Sequence, residues 1–564
     1  MNTAKILDFI ENPRGESSLG TPRDSEPTGM PAPATNEELT NGKVDVYSIN
    51  PKAKETQDAV DTETLLGAPN RVVAEIRGEI LSTITSKDIS AVSKRHLIEL
   101  MIEKEMSKFG VFYRLEGIES HDTSMFFNSF TKRLERLESD HFMSWLSRLV
   151  CLNQADPFFR VAHNACLNEA MTGQHSSAVD PEAYWAYRPG AVYLSNGPGL
   201  MCKITPLHFE IVDNGIDGVL FPVNKTLAPW SLTSPVDPFK AASLFQGFHS
   251  QDPHGRTLLM LWTYTLPMSF KCKPPLVLTG PIGSGKTRSI RGIAELYGLP
   301  PTIAAVEESK PDSFWPNMDH GGLYVLDNAD SDCRWLPDAI AAAATGAVSN
   351  HRKLYTNNEV IRMRSRSALA ITSANPMFAS DAGLADRLQV VRMVRAAGPT
   401  QDSKLTDEIL AARDAGLSHI AFTLSKALYD EREVPNGLNA RHPDYANFAV
   451  RIGRALGIER ETIEALRAAE ADKSRFCLES DTVAPAVFAY VERIRHFKGE
   501  ARELLEAMRS AGLDVPEGLK PKGLGKRLVN LLPHLERMFA VAKAESSRNG
   551  NIFTFEAHPS DGQQ

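Results

Sequence analysis

Residues 280–287 spell Gly-Pro-Ile-Gly-Ser-Gly-Lys-Thr, a complete G-x-x-x-x-G-K-[ST] pattern. The pattern follows an apolar run at 275–278 and precedes a helix-compatible stretch at 288–297. Its glycines let the backbone curl so that successive amide hydrogens point at phosphate oxygens, and the following helix adds the positive end of its dipole. In this context the pattern predicts a nucleoside triphosphate site rather than a glycine-rich turn without a ligand.

Two side chains of this loop have predicted roles with ATP and its metal ion. Lys286 is expected to reach the β- and γ-phosphates, and Thr287 is expected to hold Mg²⁺. The predicted cofactor-binding residues are Gly280, Gly283, Ser284, Gly285, Lys286 and Thr287.

The composition of the chain fits a cytoplasmic protein with several domains. With 564 residues it is too long for one core, and a prior of about 150 residues per domain suggests about three or four units. Its six cysteines are scattered without a C-x-x-C pair, which disfavours a disulfide framework or a zinc module. The sequence lacks a leader-like N-terminus and any run of eighteen apolar residues, so we expect neither secretion nor a membrane partner.

A second apolar run ends in an acid. Asp327 follows the buried-strand pattern at 321–326, and a carboxylate at such a strand end can bind Mg²⁺ through water and help to polarise the attacking water. Asp327 is therefore the predicted metal partner of Thr287. Asn328 follows it where most AAA+ ATPases have a glutamate, so this position does not supply the base that activates water. Asp330 is a candidate for that base, or it is simply one of many surface acids.

Two further residues complete the predicted catalytic set of Lys286, Asp327, Asn375 and Arg387. Asn375 ends the apolar strand at 367–374, where an amide can orient the hydrolytic water, although Asn before Pro is also common turn chemistry. Arg387 precedes the apolar run at 388–391. From there it can project into the site of a neighbouring subunit, or it can form a surface ion pair of little energetic value.

A basic segment lies between the acid strand and the Asn strand. Residues 351–366 form two strand-like arms around Asn357 and Asn358, which predicts a hairpin. Its excess of positive charge suits phosphate contacts along a nucleic-acid strand, and Tyr355 could stack on a base. The predicted DNA-binding residues here are Arg352, Lys353 and Tyr355. A hairpin that only packs a subunit interface is the alternative, because basic runs are usually solvated faces.

The C-terminal region predicts a winged helix. Residues 497–501 are expected to open a helix that continues through 504–511, and a basic helix follows at 522–537. Strand-like runs at 539–542 and 552–555 would form the wing. Lys522, Lys526 and Arg527 are the predicted DNA contacts here, with Lys520 beside them. Winged helices also serve as protein-docking modules.

These motifs resemble the helicase-type AAA+ ATPases of phages, plasmids and integrated mobile elements. Those proteins are related to superfamily 3 helicases and are often fused to, or encoded beside, a primase. The resemblance rests on 327–328, 345–346, 352–356 and 384–387 and is clearest from 238 to 397. It implies a homo-hexameric ring that hydrolyses ATP between subunits while inner hairpins move along DNA.

The expected fold class is α/β, with a P-loop AAA+ core built as a three-layer parallel sheet. An N-terminal α+β domain and a C-terminal winged-helix-like domain are expected on either side. The predicted divisions are a disordered acidic tail at 1–70, the α+β domain at 71–237 with a β-rich part at 184–224, the ATPase core at 238–397, a helical lid or linker at 398–480, the winged-helix-like domain at 481–556 and a tail at 557–564. The tail at 1–70 has twelve acidic against six basic residues.

The predicted function is an ATP-driven replicative DNA helicase or initiator of a phage or mobile element. Its expected partners are single-stranded or forked DNA, further copies of the chain, and a primase or host replication protein. A DNA-binding ATPase switch without unwinding activity shares the same motifs, and a small-molecule phosphotransferase is a third class that would not need Arg387. No separate carboxylate cluster suits two-metal nucleotidyl transfer, so we expect no primase activity in this chain.

Overall fold

The computed structural model describes Leu66 and residues 70–558. Within that range the structure does not describe residues 117–122, 174–175, 242–248, 251, 301, 307–310, 331–332, 353–359, 396–397, 399–400, 436 and 548–549. Apart from Leu66 and Asn70, the predicted acidic tail lies outside the described residues. The chain divides into two compact units. The first unit takes described residues up to Glu182 together with Ala186–Pro238 and Asp414–Glu431, and the second takes Ala183–Trp185, Phe239–Arg413 and the residues from Arg432 onward.

The first unit begins with helices packed on a small sheet. The helices are α1 (Asn70–Thr85), α2 (Ala91–Glu105), α3 (Asp140–Val150) and α4 (Pro157–Thr172), and the strands are β1 (Gly110–Leu115), β2 (Met125–Asn128), β3 (Leu134–Arg136) and β4 (Ser177–Val179). The strand order is β3-β2-β1-β4, and only the β1–β4 pair among them is parallel. Val73, Ile76 and Ile80 recur at helical spacing and are buried with Phe126 and Trp145 in one core. Helices and strands both contribute to this core, since Ile76 lies on α1 and Phe126 lies on β2.

An antiparallel sheet follows in the stretch predicted to be β-rich. Its strands are β5 (Trp185–Arg188), β6 (Ala191–Ser195), β7 (Leu200–Thr205) and β8 (His208–Asp213), in the order β5-β6-β7-β8. Residues 414–431 belong to the same unit. Leu207 donates its main-chain N–H to the Ser425 carbonyl, and the ring of Phe209 meets that of Phe422 edge-on.

The second unit is built on a sheet with five parallel strands. Its strands are β9 (His249–Ser250), β10 (Leu276–Thr279), β11 (Thr302–Ala305), β12 (Leu323–Asp327), β15 (Ala368–Ser373) and β16 (Gln389–Val394). Their order is β11-β12-β15-β10-β16-β9, and β9 alone of these runs antiparallel. The interior strands are almost continuously apolar and buried, as expected when helices cover a parallel sheet. The α/β class is therefore confirmed.

Short helices connect these strands, and a hairpin interrupts the connection between β12 and β15. The helices are α5 (Pro238–Ala241), α6 (Gly255–Tyr264), α7 (Lys286–Tyr297), α8 (Phe314–His320), α9 (Leu336–Ala344) and α10 (Ala382–Ala385). The hairpin pairs β13 (Val348–Arg352) with β14 (Val360–Arg364) antiparallel. The antiparallel pairing expected of the predicted hairpin is confirmed, whereas residues 353–359, with Lys353 and Tyr355, lie outside the described residues.

Three helices follow the parallel sheet. They are α11 (Asp402–Tyr429), α12 (Pro443–Ala455) and α13 (Glu459–Ser480). In the part of the chain that the structure describes, no helix combines the length and the apolar character needed to cross a bilayer.

The C-terminal elements form a three-stranded sheet with helices. In chain order they are α14 (Ala484–Ile494), β17 (His496–Glu500), α15 (Ala501–Ser510), α16 (Pro521–Met538), β18 (Val541–Ser547) and β19 (Gly550–Glu556). The sheet order is β17-β19-β18. Leu524, Leu528, Leu531 and Leu535 form the buried stripe of α16. The segment at 497–501, expected to open a helix, is instead mostly strand, because β17 pairs along its length with β19.

Candidate functional site

The predicted phosphate loop lies between β10 and α7. Gly283 and Gly285 have φ angles of +79° and +82°, a region that side chains with a Cβ rarely adopt. Gly280 also has a positive φ, of +149°, and a Cβ at this position would lie 2.1 Å from the Met393 carbonyl oxygen of β16. The sequence therefore folds here into a curled loop that only glycine allows, at the carboxyl end of a parallel strand.

Lys286 is folded over this loop. Its Nζ donates hydrogen bonds to the Gly280 carbonyl at 2.7 Å and the Pro281 carbonyl at 3.0 Å. Burial lowers the pKa of Lys286, while the carboxylates of Asp330 and Asp327 oppose that shift. The ammonium is thus held against the loop, where the charges of two carboxylates act on it.

Thr287, in the first turn of α7, contacts Asp327 at the end of β12. The Thr287 hydroxyl donates to Asp327 Oδ1 at 2.7 Å, although 40 residues separate them in the chain. The same oxygen accepts a hydrogen bond from the Thr372 hydroxyl, and the Asn328 amide donates back to Thr372 Oγ1 at 3.1 Å. The two residues predicted to share Mg²⁺ are thus adjacent.

Asp330 joins the ends of β12 and β15. Its Oδ1 accepts the Ser373 hydroxyl at 2.6 Å, the Ala374 amide at 2.7 Å and the Asn375 amide at 2.9 Å. Burial tends to raise the pKa of Asp330, but these hydrogen bonds and the charge of Lys286 lower it overall. A carboxylate whose pKa is lowered is a weaker base, so this geometry favours a positioning role for Asp330 over the role of water-activating base.

An open cavity of about 450 Å³ adjoins these residues. It is lined by the loop and the start of α7 and by Asn328, Asp330 and Ala374. The Ser284 hydroxyl is buried beside it without a hydrogen-bond partner among the described residues. The side chain of Asn375 is exposed, and its main-chain amide donates a hydrogen bond to the Asp330 carboxylate.

Arg395 also stands beside the phosphate loop, although no sequence motif contains it. It follows β16 at the carboxyl edge of the sheet, and a Cβ placed on Gly283 would lie 3.4 Å from Arg395 Nε. Its guanidinium therefore stands beside the phosphate loop. Arg288, which also lines the cavity, is instead paired with Glu295 through two hydrogen bonds of 2.8 and 2.7 Å.

Arg387 does not join this cluster in its own chain. Gln389 pairs with Leu276 at the amino end of β10, whereas the phosphate loop follows the carboxyl end of that strand. Arg387 therefore lies at the opposite edge of the sheet from Lys286. Its Nη1 donates to the Gly383 carbonyl, and its Nε is buried without a partner among the described residues.

The basic hairpin is anchored at its base. Arg366 Nε lies 3.5 Å from Asp319 Oδ1, and the Arg364 amide donates to the same oxygen at 2.8 Å. Arg362 and Arg364 have exposed side chains. Arg352 is the last residue of β13.

The predicted DNA contacts of α16 fall into two groups. Lys522 and Lys526 are exposed, as is Lys520 before the helix. Arg527 instead contacts the Asp481 carboxylate at 2.5 Å, and Asp481 is only 4% exposed. This ion pair ties α16 to the residue that begins the segment before α14.

The comparisons with known proteins leave the family open. No family model matches the chain, and no curated protein matches it significantly. An apo structure of the NrS-1 C-terminal region (305–718) is similar with a TM-score of 0.35 and 11% identity, covering 81% of this chain and 99% of that one. An A-form apo structure of the same region gives 0.38 and 11%, covering 81% and 98%. These values are too low to assign a family or an activity.

Proposed function

We propose that this chain is an ATP-driven DNA helicase or initiator of the kind that phages and mobile elements encode. In this proposal a P-loop AAA+ core hydrolyses ATP between neighbouring copies in a ring. The observation that carries the proposal is the hydrogen bond between Thr287 and Asp327. It joins the hydroxyl of the phosphate loop to the strand-end acid predicted as its metal partner, a pairing that a ligand-free glycine turn does not require.

The donor set fits ATP and Mg²⁺. A threonine hydroxyl and a carboxylate are oxygen ligands of the type that Mg²⁺ prefers, and a glycine-rich loop with a lysine suits phosphates. Thr287 and Asp327 would hold the ion, and Lys286 would bind the phosphates. Bound Mg²⁺ would neutralise the charge that develops on the phosphate oxygens. The loop glycines keep side chains out of the space that the phosphates need.

The strand order supports assigning Asn375 to the attacking water. Strand β15 lies between β10 and β12, so its carboxyl end is flanked by the loop on one side and by Asp327 on the other. Asn375 follows that strand, and Asp330 holds its amide. An amide side chain there is within reach of a water molecule near the terminal phosphate.

The position of Arg387 supports hydrolysis between subunits. An arginine at the far edge of the sheet cannot serve the loop of its own chain, but it can serve the loop of a neighbour stacked against that edge. An arginine supplied in this way stabilises the charge of the transferred phosphoryl group. A ring of identical subunits repeats that contact at every interface.

Two surfaces support DNA as the partner. The hairpin presents Arg362 and Arg364, and the order helix, strand, helix, helix, hairpin from α14 to β19 fits a winged helix. In that arrangement Lys522 and Lys526 on α16 would contact phosphates. Arg527 is less suited to this role because it is paired with Asp481.

The experiment compares wild type with Lys286→Ala in two assays. The first measures ATP hydrolysis with and without single-stranded DNA, and the second measures strand displacement on a forked duplex. We expect Lys286→Ala to lose most of its hydrolysis, by roughly 100-fold or more, because the lysine binds the phosphate that is transferred. Lys404→Ala, which removes a lysine whose side chain is 65% exposed, is the matched control.

The two assays separate the candidate functions. Full DNA-stimulated hydrolysis by Lys286→Ala would refute the proposed site. Hydrolysis by wild type without strand displacement would favour a DNA-binding ATPase switch over a helicase.

A further inference from the structure

The segment that carries Arg387 is held by buried polar groups from two helices. Residues 380–387, which we call the finger segment, include α10 and lead into β16. Asp381 Oδ1 accepts the Leu384 amide at 2.7 Å and so caps α10. Short segments such as this one do not keep a fixed shape without contacts from elsewhere in the fold.

One face of α13 follows the finger segment along its length. Glu470, Lys473 and Cys477 lie at i, i+3 and i+7 and therefore share a face of the helix. Lys473 Nζ donates to the Asp386 carbonyl at 2.6 Å, and Cys477 Sγ lies 3.7 Å from the Ser380 carbonyl oxygen. The helix thus contacts both ends of the segment.

Lys473 is a buried charge with a specific partner. It is 4% exposed, and its ammonium contacts both oxygens of Glu470 at 2.7 and 2.8 Å. Glu470 is only partly buried, with 22% of its side chain exposed. Even a fully buried ion pair contributes little net stability compared with apolar residues of the same size, so stability alone does not explain why this pair is present. The Asp386 carbonyl is the group that the lysine holds in addition to Glu470.

The next carbonyl along the chain is held in the same way. His442 Nε2 donates to the Arg387 carbonyl at 3.0 Å, and His442 is 6% exposed. Burial lowers the pKa of His442 to about 4, so the ring is neutral and carries one N–H near pH 7. The exposed pair of Arg441 with Asp386, at 3.7 Å, adds little.

We propose that Lys473 and His442 are positioning residues for Arg387, fixing the main chain at 386–387 so that its guanidinium can reach nucleotide bound by an adjacent copy of the chain. This inference rests on the proposed function. It adds that α13 and the start of α12 set the geometry of the half-site donated to the neighbour. Misplacing such a group by about 1 Å costs roughly 100-fold in rate.

The test replaces Glu470 and Lys473 together. In the variant carrying Glu470→Met and Lys473→Met, no buried charge is left without its partner. We expect nucleotide affinity to stay within about two-fold of wild type while ATP hydrolysis falls roughly 100-fold. Lys94→Met is the matched control, because the Lys94 ammonium also donates to a main-chain carbonyl, that of Ile84 at 2.6 Å, but belongs to the first compact unit and not to the unit that holds the finger segment.

Mixing the subunits distinguishes positioning from general damage. A Lys286→Ala subunit has an intact finger segment, and the double variant has an intact phosphate loop. Assembled together in equal amounts, they should regain hydrolysis, as should Lys286→Ala mixed with Arg387→Ala. Wild-type hydrolysis by the unmixed double variant would overturn the inference. So would a failure to regain hydrolysis when the Arg387→Ala mixture does. If the Arg387→Ala mixture itself regains nothing, the proposed action of Arg387 between subunits is wrong.

Discussion

At the residue scale, Arg395 adds a positive charge beside the phosphate loop from the residue that follows β16. It belongs to no motif, yet its guanidinium lies beside Gly283 because β16 is hydrogen-bonded to β10 and the two strands end at the same edge. In contrast, Lys286 and Thr287 were predictable because the phosphate loop is continuous in sequence. Asp327 was predictable because a strand-end acid has a recognisable pattern. A side chain brought in by a distant strand gives no such local signal.

We predict that Arg395→Ala weakens ATP binding by roughly 10- to 100-fold, since a hydrogen bond to a charged group contributes about 1.5–3 kcal/mol. The stability of the fold should change by less than about 0.5 kcal/mol, because the side chain is exposed. Equilibrium binding of ATP to the full chain measures the effect. Arg502→Ala, which removes an arginine that is 72% exposed on α15, is the control. Unchanged ATP affinity in Arg395→Ala would exclude Arg395 from the site.

At the scale of elements, Asp330 connects the acid strand to the Asn strand. Three donors from β15 and the residues after it converge on one carboxylate oxygen, which fixes the carboxyl ends of β12 and β15 relative to each other. The sequence predicted both strands but not this link. It also misjudged residues 497–501, where pairing with β19 overrides the local helical pattern. The pairing of β13 with β14 was predictable because Asn357 and Asn358 are a local turn signal in the sequence between two strand-like runs.

The Asp330 link predicts a dependence of stability on pH. The pKa of Asp330 is lowered in the folded protein, so its contribution is present above the unfolded value of about 3.9 and is lost as the pH falls through the folded value. Asp330→Asn should therefore be less stable than wild type near pH 7, by about 1–2 kcal/mol. The difference should shrink as the pH is lowered toward about 3.

Urea unfolding of wild type, Asp330→Asn and the control Asp514→Asn, across this pH range, measures that difference. Asp514 is exposed, so its substitution should have little effect at any pH. A deficit in Asp330→Asn that stays constant or grows at low pH would show that the carboxylate is not stabilised by the link.

At the scale of the whole molecule, the two halves of the proposed site lie on opposite edges of one sheet. Lys286, Thr287 and Asp327 gather at the carboxyl edge, and Arg387 stands at the amino edge. A monomer cannot bring these groups together without unfolding the sheet, whereas neighbouring copies can. We therefore propose that nucleotide is hydrolysed between subunits, so that catalysis requires assembly.

Electron microscopy of the purified protein with a slowly hydrolysed ATP analogue and forked DNA would show whether the subunits assemble in this way. We expect a closed ring in which each nucleotide contacts Lys286 of one subunit and Arg387 of the next, with DNA passing along the basic hairpins. Monomeric particles with nucleotide bound, or a ring in which Arg387 lies away from every nucleotide, would refute hydrolysis between subunits.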